Sequence, residues 1–294
     1  MAPRLLVTGA QGQLGQELLR RGAAQGLAVT GLTRAELDIS DAPAVERTLA
    51  EAGADIVVNA AAYTAVDLAE AEPERAFAIN ADGPRHLARA CARLGLPLIH
   101  VSTDYVFDGA SDSGYREDDP VAPLNVYGAS KEAGERAVRE ELPAHVILRT
   151  SWVYSSHGRN FVLTMRQLAA RQDELKVVAD QHGSPTSAAD LADAILTIAN
   201  RIQAGADGWG TFHFAGHGVT SWHGFAVAVM ELCLPPGQPL PRVLPIATAD
   251  FPRPARRPVN SVLDCTRIGS VHGIVPRPWR EALADVGREL RAGG

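Results

Sequence analysis

The stretch Arg4-Leu-Leu-Val-Thr-Gly9-Ala-Gln-Gly12-Gln-Leu-Gly15 decides how this chain folds. Residues Arg4–Thr8 are apolar almost throughout and end at a glycine, the pattern of a strand buried on both faces. From 13 to 24, Leu14, Leu18 and Leu19 fall at helical spacing on one side. Between strand and helix stands G-x-x-G-x-x-G. Gly9 permits a tight turn out of the strand, Gly12 lets the backbone come close to a pyrophosphate, and Gly15 lets the helix pack on the sheet. A helix that opens this way offers free backbone N–H groups to an anion. Placed at the start of a βαβ pattern, the turn points to dinucleotide binding.

The same alternation continues outward from that stretch. Strands are expected at 27–32, Ile56–Asn59, 98–102 and 146–149, and helices at Ala42–Ala52, 73–94 and Val126–Glu141. Wholly apolar strands separated by helices predict an α/β fold, a doubly wound parallel sheet of the Rossmann type with ligands at the carboxyl ends of its strands. After residue 150 the rhythm loosens. Residues 160–171, 188–203 and 279–291 read as helices, and the proline-rich 235–258 reads as loops and short strands. The expected division is a core at 1–150, with a later contribution from about 188–215, and a smaller substrate-binding lobe over 151–294, interleaved with it.

Composition narrows the class. The 294 residues are 46% hydrophobic and 21% charged, enough to bury a core and unlike a disordered chain. A net charge of -6 argues against a nucleic-acid partner held by phosphate neutralisation. Cys91, Cys233 and Cys265 are widely spaced without a C-x-x-C pair, so neither zinc nor a disulfide framework is signalled. No apolar run reaches the ~18 residues of a membrane span, and the amino terminus runs directly into a strand without room for a signal peptide. The expectation is a cytoplasmic protein. His213 and His217 stand at i, i+4 in a glycine-rich segment, but no third ligand accompanies them and no metal is expected.

Cofactor choice is read at the end of the second strand. An acid there would hold the adenosine ribose hydroxyls; a basic residue would accept a 2′-phosphate. Here the strand ends Leu32-Thr33-Arg34, and Arg34 offers a forked donor, which favours NADPH over NADH. Asp38 and Ile39 follow, in position to flank the adenine. Further on, Tyr127-Gly-Ala-Ser-Lys131 puts a phenol and an ammonium four apart at a helix start, on one face. The ammonium is expected to draw the phenol from its usual pKa of about 10 toward acid–base use, and to reach a nicotinamide ribose. At the end of the fourth strand, Thr103 can orient a substrate carbonyl oxygen more readily than Ser102 can. Asp104 binds a sugar hydroxyl or caps a turn.

Together these residues resemble the extended short-chain dehydrogenase/reductases acting on nucleotide sugars. Asn59-Ala-Ala-Ala-Tyr-Thr64-Ala-Val-Asp67, Ser102-Thr-Asp-Tyr-Val-Phe107, Pro123-Leu-Asn-Val-Tyr-Gly128, Arg149-Thr-Ser-Trp-Val-Tyr154, Asp180-Gln-His-Gly-Ser-Pro-Thr186 and Arg257-Pro-Val-Asn-Ser261 resemble, in order, the dTDP-4-dehydrorhamnose reductase family. The resemblance implies that Gly12, Gln13 and Leu14 sit under the pyrophosphate, and that Ala62, Tyr63 and Thr64 line the cofactor. It implies Tyr127 as catalytic acid with Lys131 as its partner, and Thr103, Asp104, Tyr105 and Trp152 at the sugar. Arg257, Asn260 and Ser261 would lie toward the nucleotide diphosphate. Thr33 replaces the acid usual in the family at the second strand. Some relatives hold Mg²⁺ between subunits; Glu17 fits that role, but Ala189 stands where its partner acid is expected, so no such metal is predicted. Implied with these is a nucleotide-sugar substrate; no membrane partner is expected, and an exposed helix pair could make a homodimer. Two alternatives stand beside the reductase: a non-catalytic NADP-binding regulatory subunit of the methionine adenosyltransferase type, and a reductase or epimerase of another nucleotide sugar.

Overall fold

The computed structural model describes residues 2–292. Six strands form one parallel sheet: β1 (Arg4–Thr8), β2 (Ala28–Leu32), β3 (Ile56–Asn59), β4 (Leu98–Thr103), β5 (His145–Thr150) and β6 (Gly210–His213). Their order across the sheet is β2-β1-β3-β4-β5-β6, so the winding reverses between β1 and β3. Such a reversal leaves a crevice at the carboxyl ends of the two strands. The doubly wound α/β expectation is met.

Every residue of β3 and β5 is buried, because helices cover both faces. On one face α1 (Gln13–Ala24) and Ala188–Gln203 set Leu14, Leu18, Leu191 and Ile195 against Leu5, Val7 and Val58. On the other, Ala42–Ala52, Gly83–Leu94 and α2 (Val126–Glu141) set Val45, Leu87 and Val138 against Leu6, Val57 and Ile147. A separate cluster around Tyr154, Val162, Phe225 and Trp279 gathers the helices Phe161–Ala169, Trp222–Cys233 and Trp279–Ala292. The proline-rich segment contributes one short strand, Arg242–Ile246, paired in parallel with Glu174–Val178.

One expected helix is corrected. The stretch 73–94 is helix Pro73–Phe77, a π turn Ala78–Asp82, then helix Gly83–Leu94. Pro84 has no N–H to return to the Asn80 carbonyl four residues back, so the ladder slips by one. Other boundaries move by a residue or two.

A polar ladder runs beneath the crevice. Thr8 Oγ1 donates to Asn59 Oδ1 at 2.7 Å, the Ala61 N–H donates to the same oxygen at 3.1 Å, and Asn59 Nδ2 meets His100 Nδ1 at 3.0 Å. The ends of β1, β3 and β4 are thereby registered to one another.

The glycine turn is tight. Gly9 takes φ +74°, and a Cβ there would come within 2.7 Å of the Ala61 nitrogen. A Cβ on Gly15 would overlap the Gly9 carbonyl and lie 2.6 Å from Ala10 Cα. Both obstacles are backbone and cannot swing away. Gly15→Ala should therefore destabilise the fold by roughly 1–3 kcal/mol, read as a lower urea midpoint at unchanged slope; an unchanged midpoint would refute the packing argument.

Candidate active site

A cleft of about 880 Å³ opens at the carboxyl ends of β1, β3 and β4. Of the candidate site residues, all but Gly15, Arg257, Asn260 and Ser261 line it.

At one end lies the glycine turn. Gly12 is the N-cap of α1 and supplies no side-chain hydrogen bond, so the first N–H groups of the helix have no capping acceptor. Arg34 stands on the rim, its side chain 61% exposed, loosely paired with Asp38 at 3.2 Å. Asp38 itself accepts from Ser40 Oγ, at 2.6 Å, and ionises more readily for it. The nearest acid to the strand tip, Glu36, turns back to accept from the Thr33 N–H at 2.8 Å.

At the other end, Asn125 caps α2 by accepting from the Gly128 N–H at 2.8 Å. A Cβ on Gly128 would overlap the Tyr105 carbonyl, so the glycine lets α2 press against the end of β4. The Tyr105 and Tyr127 rings meet edge to face at 5.6 Å. The Thr103 hydroxyl lies beside the Tyr127 phenol, donates to Asp104 Oδ1 at 2.9 Å, and accepts from the Tyr105 N–H at 3.2 Å. Asp104 Oδ2 is buried with no partner. Burial pushes the Asp104 carboxyl up to about 6, against the nearby Ser261 and Thr103 hydroxyls, which favour its charge.

The expectation for the Tyr–Lys pair needs correction. Burial drives the Tyr127 phenol up to about 12; contact with Thr103 opposes this, the Asp104 charge adds to it, and Lys131 is not among the perturbing groups. Lys131, only 2% exposed, donates to the Val101 carbonyl at 2.7 Å. Burial lowers its ammonium from 10.5 to about 8, with Glu135 resisting. The phenol is thus held protonated, as a proton donor requires.

Two further groups escaped the sequence reading. Asn80, in the π turn, accepts from the Tyr63 N–H at 2.8 Å and donates to the Tyr63 carbonyl and to Ser130 Oγ, each at 3.0 Å. It ties the loop after β3 to α2. The run Asn80-Ala-Asp-Gly-Pro84 inside an apolar helical pattern is the signal that could have marked it. Arg159 also lines the cleft beside the glycine turn.

Trp152 adopts φ +49°, the one non-glycine residue with positive φ among those described, and stacks on Trp222 at 3.6 Å. Strain of this kind is held where the surroundings over-determine it. Gly183 leaves room for the indole, which a Cβ would approach to 2.6 Å.

The remaining candidates lie outside the cleft. Arg257 pairs with Asp67 at 2.9 Å. The Asn260 amide donates to the Ser111 and Ser113 carbonyls, both at 2.8 Å, and accepts from the Val262 N–H at 3.0 Å, so its side chain ties two backbone segments together. Ser261 is buried beside Asp104. Glu17 is buried against Arg20 and Arg21, and burial holds His213 neutral. Among the described residues no group of three or more possible ligands gathers to hold a metal, and no helix is long and apolar enough to cross a membrane. The three cysteines are free thiols.

A buried, protonated phenol facing a dinucleotide cradle across one cleft defines a reductase of the extended short-chain class. A family model described as the RmlD substrate binding domain matches residues 3–292. The dTDP-4-dehydrorhamnose reductase of Sinorhizobium fredii is 47% identical over 281 residues, 95% of each chain. The crystal structure of such a reductase from Clostridium acetobutylicum superposes with a TM-score of 0.92 at 39% identity, covering 98% of this chain and 99% of that one. That of the Bacillus anthracis reductase, in complex with NADP, gives 0.91 at 37% identity, covering 98% and 100%. The chain belongs to the dTDP-4-dehydrorhamnose reductase family. Neither the regulatory subunit nor a different sugar gains support from these relatives.

Lys131 allows a test that needs no substrate. Between pH 8 and 10.5 the unfolded chain holds a lysine proton that the folded chain has released, so stability rises with pH across that window. Below it the folded protein bears the whole cost of a buried charge. Lys131→Met should be more stable at pH 7 by roughly 2 kcal/mol, allowing for the Val101 carbonyl it leaves bare, and this advantage should shrink toward pH 10.5. A variant less stable at pH 7 would overturn the assignment of burial as the dominant effect.

Proposed function

We propose that this chain reduces the C4 ketone of dTDP-4-dehydro-6-deoxy-L-mannose to give dTDP-L-rhamnose, using NADPH. The observation that carries the reading is the convergence of Thr103, Tyr127 and Lys131 on the cleft that also holds the uncapped end of α1. The dinucleotide fits what is present: a helix N-terminus without a capping side chain, and a glycine-lined approach to it. NADPH, when bound, supplies the hydride.

The chain's own residues do the rest. Thr103 turns its hydroxyl from Asp104 to the ketone oxygen and fixes the face presented to the nicotinamide. Tyr127 gives its proton to the forming alkoxide, a stronger base than a phenolate even with the phenol at about 12. Lys131 keeps two N–H bonds beyond the one to Val101, free for a ribose hydroxyl. The unpartnered Asp104 Oδ2 accepts from a sugar hydroxyl, which satisfies a buried oxygen otherwise left bare. Trp152 packs on the sugar. Arg34 offers its remaining donors to the 2′-phosphate.

Incubation with NADPH and a panel of nucleotide 4-keto sugars, followed at the nicotinamide absorbance band, tests the whole reading. Rapid oxidation with the dTDP-linked 6-deoxy sugar is expected; none with any of them would refute it. Tyr127→Phe should lower turnover by about 10²–10⁴-fold, and a variant of full rate would remove the phenol from its role. Arg34→Ala should raise the KM for NADPH several-fold more than that for NADH. Equal effects on both would exclude a 2′-phosphate contact.

A further inference from the structure

The loop between the short strand Val153–Tyr154 and the helix Phe161–Ala169 comes from the second cluster of helices, yet it is fastened to the glycine turn. Gln13 does the fastening. Its Oε1 accepts from Ser155 Oγ and from Asn160 Nδ2, each at 3.0 Å, and its Nε2 donates to the Arg159 carbonyl at 3.4 Å. The backbone carbonyl of Gln13 meets His157 Nε2 at 3.2 Å. Gly158, at φ +75°, lets the loop lie flat on the Gln13 side chain, where a Cβ would come within 3.2 Å of Cγ. The Gln13 side-chain oxygen and one of its two amide N–H bonds are thereby turned to this loop.

What the fastening delivers is Arg159. The residue lines the cleft beside Gly12, Gln13 and Leu14, is exposed, and among the described residues makes no side-chain hydrogen bond or ion pair. Most arginines at this surface are otherwise engaged: Arg20 and Arg21 with Glu17, and Arg34 with Asp38. An unpaired guanidinium and an uncapped helix N-terminus on the same cleft give it two groups of positive character.

We propose that Arg159 closes over the pyrophosphate of the bound dinucleotide, from the side opposite the α1 N–H groups, and that Gln13 is the positioning residue holding its loop there. The inference rests on the dinucleotide reading above. It adds a residue that the motifs do not mark.

The pyrophosphate is common to NADPH and NADH, whereas the 2′-phosphate is not, and that difference supplies the test. Dissociation constants for both are measured by nicotinamide fluorescence on wild type, Arg159→Ala, Gln13→Ala and the double variant. Arg159→Ala should weaken both dinucleotides by about tenfold and by the same factor, as loss of a charge-assisted contact does. Gln13→Ala should weaken both to a smaller extent. The double variant should be no worse than Arg159→Ala, because the two residues act through one contact.

Unchanged constants in Arg159→Ala overturn the proposal. So does a loss confined to NADPH, which would move the arginine to the 2′-phosphate. Unchanged constants with a raised KM for the sugar nucleotide would assign it to the substrate's diphosphate, and equally overturn it. Additive losses in the double variant would overturn the positioning role of Gln13. A wild-type protein binding neither dinucleotide refutes the reading in the previous subsection, and this inference with it. Arg159 is exposed, so its removal leaves the fold intact, which thermal unfolding of the variant checks.

Discussion

The approach of helix α1 to the sheet is a backbone-to-backbone contact, and the rest of the site is arranged around it. No side chain fits at Gly15, where a Cβ would overlap the Gly9 carbonyl, or at Gly9, where it would meet the backbone of Ala60 and Ala61. The helix can therefore begin directly at the reversal between β1 and β3. It begins there without a cap. Asp41, Asn125, Asn160, Ser187 and Ser221 each accept a hydrogen bond at the start of their own helices, while Gly12 has nothing to offer α1. A capping side chain would stabilise the helix by ~1 kcal/mol. Its absence leaves the N–H groups to an incoming anion, so the local instability and the binding capacity are one feature.

The opposite wall of the cleft is fixed by different means. Glu135, one turn beyond Lys131, is buried and accepts from Arg149 Nε at 2.9 Å, Arg149 Nη2 at 2.7 Å and Ser102 Oγ at 2.6 Å. The helix carrying Tyr127 and Lys131 is thereby tied to β5 and to the residue preceding Thr103. Apolar packing tolerates small slides, whereas a buried, fully bonded ion pair costs about 3–5 kcal/mol when one partner is lost. Asn80 adds a second tie, through Ser130, to the loop bearing Tyr63. The spacing between cofactor loop, hydroxyl and phenol is thus set by directional bonds on both flanks.

Much of this was legible in the chain. Strands buried on both faces carry an unbroken apolar signal, and the glycine turn announces itself by position, so the sheet and its crevice could be read directly. Burial was not legible. The phenol was expected to be drawn down by a neighbouring ammonium, but Lys131 is turned toward the Val101 carbonyl and desolvation governs both groups. Asn80 was hidden inside a helical period, because periodicity reports faces and not a slipped ladder. The Arg257 to Ser261 segment illustrates the limit of a motif. Its order along the chain is clear, yet the Asn260 amide is spent tying this segment to the backbone of Ser111 and Ser113, a tertiary contact that no spacing records.

The net charge of -6 bears on how anionic ligands bind at all. Long-range attraction is absent, but beyond about 8 Å at physiological salt it would count for little. At short range the cleft presents Arg34, Lys131 and Arg159 among its lining residues. The carboxylates near them are already engaged: Asp38 by Ser40 and by Arg34 itself, Glu36 by the Thr33 N–H, and Glu135 by Arg149. Asp104 is the exception, a buried carboxyl with one bare oxygen and a raised pKa. A carboxylate so placed would repel a phosphate and suits a hydroxyl. Asp104 and Lys131 thus share the end of the cleft that holds the phenol, and the two arginines stand apart from that acid along the lining.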